Sequence, residues 1–164
     1  MMTLADKLIS LKESLEGELR SDIITRTIYS TDASVYKEMP EAVAWPKNET
    51  DLSKLIIFAA EEKIPLILRA AGTSLAGQVT GRGIIADNSR YMNKVLEINL
   101  EERWVRVQPG VVLDELNMKL RPSGLFFGPE TSTANRCNIG GMIGNNACGL
   151  HSLAHGSTRD HTIE

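Results

Sequence analysis

The spacing of apolar residues predicts a helix at the start of the chain. Leucine recurs at positions 4, 8, 11, 15 and 19, and Thr3 with Asp6 can form a capping box at the first turn. We expect this amphipathic helix to pack against the body of the protein. The stretch 21–40 has no clear period, and Tyr29 and Tyr36 are its only candidate anchors.

Two short apolar runs, 42–45 and 65–68, predict strands on either side of a helix that Asn48 begins. The second run is continuously apolar, which is typical of a buried strand. One helix face is predicted to carry the apolar residues Leu52, Leu55, Ile56, Ala59 and Ala60.

Three further elements are predicted after position 80. Residues 84–86 favour a strand, and 95–108 alternate in the manner of a hairpin. A second helix carries Leu113, Leu116 and Leu120 and ends before Pro122 and Gly124. The order strand, helix, strand, strand, hairpin, helix indicates an α+β fold.

Composition excludes several classes of protein. The 164 residues are 42% hydrophobic and 24% charged, with a net charge of −3, which disfavours a nucleic-acid partner. The first twenty residues are too charged for a signal peptide, and no window is apolar enough for a membrane span, so a cytoplasmic protein is expected. Cys137 and Cys148 are too few for a disulfide scaffold and are expected to be buried.

Ten of the 13 glycines fall in two windows, 72–83 and 128–156. The first follows the predicted strand 65–68, and its Gly, Ala, Thr and Ser residues offer backbone N–H groups and hydroxyls that suit a phosphate. The P-loop motif is excluded because Gln78 stands where its lysine belongs. The G-x-G-x-x-A at 81–86 opens a strand rather than a helix, so a Rossmann fingerprint is disfavoured.

The second window is polar but nearly uncharged. Glu130 and Arg136 are the only formal charges between Gly128 and Leu150, which suggests backbone lying against a polar group other than water. Cys148 and the three histidines at 151, 155 and 161 lack the paired spacing of zinc ligands, so no metal site is predicted.

The two windows together resemble the FAD-binding PCMH-type domain of the vanillyl-alcohol oxidase superfamily. The resemblance rests on Arg-x-x-Gly-Thr-Ser from Arg69, Pro-Glu at 129–130, and Ile-Gly-Gly-x-x-x-Asn-x-x-Gly within 139–149. Within that superfamily the chain is most similar to the FAD-linked oxidase group of glycolate oxidases and D-lactate dehydrogenases. The resemblance implies two α/β subdomains, with the second incomplete. The ranges are an N-terminal helix and surface segment at 1–40, a first FAD-binding subdomain at 41–127 and the start of the second at 128–164.

The same resemblance implies which residues bind FAD. The pyrophosphate is expected to contact Arg69, Ala70, Ala71, Gly72, Thr73, Ser74, Leu75, Gly77 and Gln78. The flavin side would be lined by Pro129, Glu130 and Thr133. Ile139, Gly140 and Gly141 would approach the diphosphate and ribose, and Asn145, Asn146 and Gly149 would close the loop. Glycine suits such positions because a missing Cβ lets a flat ring or a diphosphate approach the backbone. Thr73 stands about where covalent members carry a flavin-linked histidine, so FAD is expected to be non-covalent.

The function implied is oxidation of a D-2-hydroxy acid, of the lactate, glycolate or 2-hydroxyglutarate type, to the 2-oxo acid, with an external electron acceptor. The catalytic base and a substrate-binding arginine are expected on a later domain, so no catalytic residue is assigned here and this chain alone is expected to be inactive. Large members of the group also carry an iron–sulfur region downstream. Two alternatives remain: a non-catalytic flavin- or nucleotide-binding module that serves a partner chain, and a same-fold enzyme such as a sugar-nucleotide enoyl reductase.

Overall fold

Helix α1 covers Leu4–Ser14 and begins at the predicted capping box. In this computed structural model, which describes residues 2–164, the Thr3 side chain accepts the Asp6 N–H, and the Asp6 carboxylate accepts the Thr3 N–H. Leu8 and Leu11 are buried, as predicted. The predicted helix is too long, because Leu15 is already extended and Leu19 lies on strand β1 (Glu18–Arg20).

Four strands form one sheet in the order β1-β2-β4-β3, with β2 at Ala42–Trp45, β3 at Leu66–Arg69 and β4 at Ile84–Asp87. β1 is antiparallel to β2, whereas β2 and β3 both run parallel to β4. The prediction that 65–68 forms a buried strand is wrong in one respect: β3 lies at the sheet edge, and Leu68 is 57% exposed. The buried strands are β2 and β4, each of which has a neighbour on both sides.

Two helices accompany this sheet. Helix α3 (Glu49–Glu62) is capped by Asn48 as predicted and ends at Lys63, whose φ is +56°. Its buried stripe is narrower than predicted, since Leu55 and Ala59 are buried but Ile56 is 55% exposed. Helix α2 (Ile23–Ile28) lies in the stretch 21–40 and was not predicted, because its isoleucines face outward and leave no periodic signal.

The first core joins α1, α3 and the sheet. Its buried members are Leu8, Leu11, Leu19, Ala42, Ala44, Leu55, Ile84 and Ala86. An ion pair of 2.6 Å between Lys7 Nζ and Glu62 Oε2 also connects α1 to α3.

The second half of the chain contains the predicted hairpin and helix. Strands β5 (Val95–Asn99) and β6 (Trp104–Val107) pair antiparallel, and α4 (Leu113–Leu120) buries the three predicted leucines. Short helices α5 (Ile139–Gly144) and α6 (Ser152–His155) follow. The second core contains Val111, Leu113, Leu116, Leu120, Cys137, Ile139 and Met142.

The chain divides into two compact units, one up to Tyr91 and one from Met92 to Glu164. The predicted subdomain ranges remain predictions, because they refer to a family pattern rather than to compactness. Of the two cysteines predicted to be buried, Cys137 is buried but Cys148 is exposed, because it lies in an irregular segment outside the second core. Among residues 2–164, no helix has both the length and the apolar content needed to cross a bilayer.

Candidate functional site

Residues 70–80, which include most of the first glycine window, form an irregular loop that follows the carboxyl end of β3. The Asn88 N–H donates to the Arg69 carbonyl at 3.0 Å and so joins the ends of β3 and β4. Carboxyl ends of parallel strands are the usual place for ligands in α/β sheets. The loop is therefore well placed to hold one.

Ser74 organises this loop from inside. Its hydroxyl donates to Gln78 Oε1 at 2.7 Å and accepts the N–H groups of Ala76 and Gln78. Gly72 and Gly77 have φ values of +68° and +70°, which side chains rarely adopt. The loop therefore has a defined shape without a ligand.

Five consecutive backbone N–H groups of the loop, those of residues 71–75, have no hydrogen-bond acceptor within residues 2–164. Ala71 and Leu75 are exposed, and the three residues between them are partly exposed. Successive free N–H groups in a turn form a concave site for an anion. The free N–H groups of this loop are compatible with the predicted phosphate site, which stays a prediction.

The side chain of Arg69 supports the loop rather than extending from it. Its Nη1 donates to the Thr31 carbonyl at 2.8 Å, and its guanidinium lies 5.0 Å from the Tyr29 ring centre. A Cβ on Gly72 would stand 2.5 Å from Arg69 Nη2. The Arg69 side chain could shift to admit this Cβ, so glycine at position 72 is favoured chiefly by its φ of +68°, whatever ligand the loop binds.

A buried polar cluster below the loop escaped the sequence analysis. The Tyr29 hydroxyl donates to Asp87 Oδ2 at 2.6 Å and accepts the Trp45 indole N–H at 3.0 Å, while Ser89 donates twice to Asp87 Oδ1. Burial, followed by the Asp87 hydrogen bond and charge, raises the pKa of Tyr29 to about 12. The available signal in the sequence was Asp87 and Asn88 directly after the predicted strand 84–86.

In the second unit, residues 137–140 run beside 109–113. The Ile139 N–H donates to the Val111 carbonyl at 2.9 Å, and the Gly140 N–H donates to Pro109 at 2.8 Å. A Cβ on Gly140 would lie 2.5 Å from Pro109 Cβ, so this glycine is also needed for packing.

The two ends of the second window meet at Glu130 and Gly149. A Cβ on Gly149 would collide with the Glu130 carbonyl oxygen. The Glu130 carboxylate pairs with His151 Nδ1 at 2.9 Å, and Asn146 Oδ1 accepts the Arg159 N–H at 2.9 Å. These contacts lie within the protein, and the closure of the cofactor loop by Asn145, Asn146 and Gly149 stays a prediction.

The remaining predicted residues differ in their access to a ligand. Pro129 and Ile139 are buried, so their side chains serve the interior. Gly141 and Asn145 are exposed, and the Gly141 N–H has no acceptor in the described part of the chain. The Thr133 hydroxyl lies 3.2 Å from that of Thr131. All the FAD contacts assigned from the sequence remain predictions.

The three histidines lie apart from any metal-like cluster. His155 packs on Phe126 with ring centres 5.2 Å apart, and His161 packs on Phe127 at 5.6 Å. Over residues 2–164 no three side chains of the His, Cys, Asp and Glu types come close enough to hold a metal ion.

Several curated proteins related to this chain are named as dehydrogenases or oxidases of 2-hydroxy acids. It is 46% identical over 151 residues to D-2-hydroxyglutarate dehydrogenase of Pseudomonas putida, and 42% identical over 155 residues to the protein of that name from Escherichia coli. These matches cover 90% and 93% of this chain but 15% of each relative. Glycolate oxidase subunit GlcD of Bacillus subtilis is 36% identical over 84% of this chain and 30% of its own length.

Solved structures confirm the predicted fold. An alkyldihydroxyacetonephosphate synthase matches 97% of this chain and 32% of its own with a TM-score of 0.84 at 20% identity. The 6-hydroxy-D-nicotine oxidase of Arthrobacter nicotinovorans matches 90% of this chain and 32% of its own with a TM-score of 0.75 at 21% identity. A family model described as an FAD binding domain matches residues 40–164. Since that match spans most of the sequence, the chain belongs to this family of FAD-binding domains, and FAD is its cofactor.

Proposed function

We propose that this chain is the FAD-binding part of a dehydrogenase that oxidises a D-2-hydroxy acid to the 2-oxo acid, with D-2-hydroxyglutarate as the favoured substrate. The chain spans about 15% of the length of the D-2-hydroxyglutarate dehydrogenases that it matches. Their 42–46% identity supports the substrate class. The lower identity of the glycolate oxidase subunit favours 2-hydroxyglutarate over glycolate.

The free N–H groups of residues 71–75 carry the cofactor part of this proposal. Five adjacent donors suit the acceptor oxygens of a diphosphate, and a hydrogen bond to a charged group contributes about 1.5–3 kcal/mol. The loop can therefore hold FAD without a lysine. Thr73, which by the family resemblance stands about where covalent members carry the flavin-linked histidine, supports non-covalent binding.

When bound, FAD would accept the two electrons that are released when the substrate Cα–H bond breaks. The residues of this chain bind and orient the cofactor. Ser74 fixes the loop that offers the donors, and the Arg69 guanidinium supports it from behind. The catalytic base and the substrate-carboxylate arginine are proposed to lie on other parts of the complete protein. An external electron acceptor and a cytoplasmic location complete the proposal.

The test uses the product of the complete gene that encodes this chain. Reduction of an electron-accepting dye is followed with D-2-hydroxyglutarate, L-2-hydroxyglutarate, D-lactate and glycolate. The proposal expects the highest kcat/KM with D-2-hydroxyglutarate and little reduction with its L-enantiomer. A protein that binds FAD but oxidises none of these acids would contradict the proposed dehydrogenase activity and support the alternative of a non-catalytic binding module.

A further inference from the structure

We propose that Ala33 and Tyr36 are positioning residues of the cofactor site, which hold the 70–80 loop so that its Thr73 N–H points toward the FAD diphosphate. The inference rests on the proposed role of the 71–75 donors. Both residues lie before position 40, where the match to the family of FAD-binding domains begins. The sequence analysis placed them in a surface segment outside the cofactor site.

Two contacts place this surface segment along one side of the loop. The Ala33 N–H donates to the Gly72 carbonyl at 3.2 Å. A Cβ on Gly77 would stand 2.6 Å from Cδ2 of Tyr36, so the Tyr36 ring lies directly against that glycine. The segment therefore contacts the loop at both of its glycines with positive φ.

The segment is held by its own hydrogen bonds. Asp32 Oδ1 accepts the Ser34 N–H at 2.8 Å, and Ser34 Oγ accepts the Tyr36 N–H at 3.1 Å. Thr31 and Lys37 also form an isolated antiparallel bridge. The two contacts with the loop are therefore made from an ordered part of the chain.

The contact with Gly72 fixes the direction of one donor of the loop. In a trans peptide the carbonyl oxygen and the following N–H point in opposite directions, and residues 2–164 contain no cis peptide bond. Because the Gly72 carbonyl points at Ala33, the Thr73 N–H points to the opposite face of the loop. Glycine at position 72 permits the rotation that would turn this peptide over and present its carbonyl oxygen to the diphosphate. The Ala33 N–H opposes that rotation.

The Tyr36 ring holds the loop beyond the other end of the donor run. Gly77 has a φ of +70°, and its carbonyl accepts both the N–H and the hydroxyl of Thr80. The Tyr36 side chain is 58% exposed, and its hydroxyl has no hydrogen bond to any other residue from 2 to 164. Its contribution to the loop is therefore made by the ring, which covers Gly77.

Three substitutions test the inference in the product of the complete gene. Ala33→Pro removes the N–H and is expected to weaken FAD binding about tenfold, comparable to the loss of one hydrogen bond to a charged group. Tyr36→Ala removes the ring and is expected to weaken binding about threefold, whereas Tyr36→Phe keeps the ring and should restore the affinity. Val35→Ala is the control, because this side chain is 95% exposed.

The dissociation constant for FAD, the inhibition constant of ADP for FAD binding and the melting temperature without FAD are measured on the apoprotein. ADP carries the diphosphate but no flavin, so a positioning role predicts that Ala33→Pro weakens FAD and ADP by the same factor. Unchanged ADP binding beside weaker FAD binding would locate the effect at the flavin and overturn the inference. A lower melting temperature with unchanged FAD affinity would show a purely structural role and also overturn it.

The two Tyr36 variants keep the inference testable if Ala33→Pro does not fold. Weaker FAD binding by Tyr36→Ala than by Tyr36→Phe, at a melting temperature close to that of Val35→Ala, would support the positioning role. Equal FAD affinities of the two Tyr36 variants would overturn it. If the wild-type protein binds no FAD, the proposed function itself fails, and that result is distinct from the others.

Discussion

The Tyr29 hydroxyl and the Asp87 carboxylate, 58 positions apart in the sequence, meet at 2.6 Å. The Trp45 indole donates to the same hydroxyl at 3.0 Å, and the Tyr29 and Trp45 rings pack edge to face with centres 5.5 Å apart. This contact ties the segment after α2 to the end of the central strand β4. The Arg69 guanidinium, which supports the cofactor loop, lies 5.0 Å from the centre of the Tyr29 ring, so the position of this support depends on Tyr29.

Tyr29→Phe is expected to destabilise the protein by roughly 1–3 kcal/mol at pH 7, because it leaves Asp87 Oδ2 and the Trp45 N–H without their partner. The pKa of Tyr29 is about 12 in the folded protein, against an ordinary value of 10.0. Between these values the folded state retains a proton that the unfolded state loses, so stability falls as pH rises from 10 to 12. Urea unfolding at pH 7 and across pH 9–11 measures both effects. The wild type should lose its advantage over Tyr29→Phe as pH rises, and a constant difference would contradict the assignment.

Asp51 is fully buried at the start of α3 and holds the turn before β1. Its carboxylate accepts the backbone N–H groups of Glu16, Gly17 and Lys47 at 2.9–3.0 Å. Asp51→Ala would leave these donors unpaired and is expected to lower the free energy of unfolding by at least about 3 kcal/mol. The exposed acid Glu49, in the same helical turn, is the control, and Glu49→Ala should change stability by less than about 0.5 kcal/mol. Similar urea midpoints for the two variants would refute this role of Asp51.

Gly149→Ala is expected to disrupt the second window, because its methyl group would collide with the Glu130 carbonyl. We expect a loss of about 1–3 kcal/mol, typical of overpacking, together with weaker FAD binding. Gly144 in α5 has open space around its Cα, so Gly144→Ala should stabilise by about 0.5–1 kcal/mol. Thermal unfolding measures the stability of both variants. A Gly149→Ala variant more stable than Gly144→Ala would contradict the close contact between Gly149 and the Glu130 carbonyl.

Ser74→Ala separates loop order from overall stability. The substitution removes the hydroxyl that accepts two N–H groups and donates to Gln78. FAD affinity should fall roughly tenfold, because the donors of the loop are no longer held in place. The unfolding free energy should change by less than about 1 kcal/mol, since the loop is partly exposed. Fluorescence titration with FAD, with Ser53→Ala as the control, measures the effect, and an unchanged affinity would show that Ser74 does not organise the binding loop.

Local patterns were sufficient for much of the fold. The capping box of Thr3 and Asp6, the cap at Asn48, the 95–108 hairpin and the leucine face of α4 all occur where the sequence indicated. Sheet order was not accessible, because β3 and β4 have similar apolar runs and only pairing shows that β3 is the edge strand. The sequence analysis explained the glycines of the two windows by the close approach of a ligand to the backbone.

Long-range contacts account for what the sequence analysis missed. The structure shows that Gly140 and Gly149 are also required by their close approach to Pro109 and to the Glu130 carbonyl, and that Gly72 has a φ of +68°. Asp51 and the Tyr29 to Asp87 contact depend on partners that are distant in sequence. Local sequence spacing cannot identify these contacts, because it does not show which distant segments of the chain meet in the fold.

Direct titration of the purified product of the complete gene with FAD is the most decisive measurement. The account predicts a bound, yellow protein that is stabilised by about 2.7 kcal/mol when free FAD is 100 times its dissociation constant. It also predicts that Thr73→Asp, which places a negative charge among the free N–H groups, weakens binding at least about tenfold, whereas Ser53→Asp does not. Absence of FAD binding in the wild type, or equal binding by Thr73→Asp, would contradict the assignment of the 71–75 loop to the cofactor diphosphate.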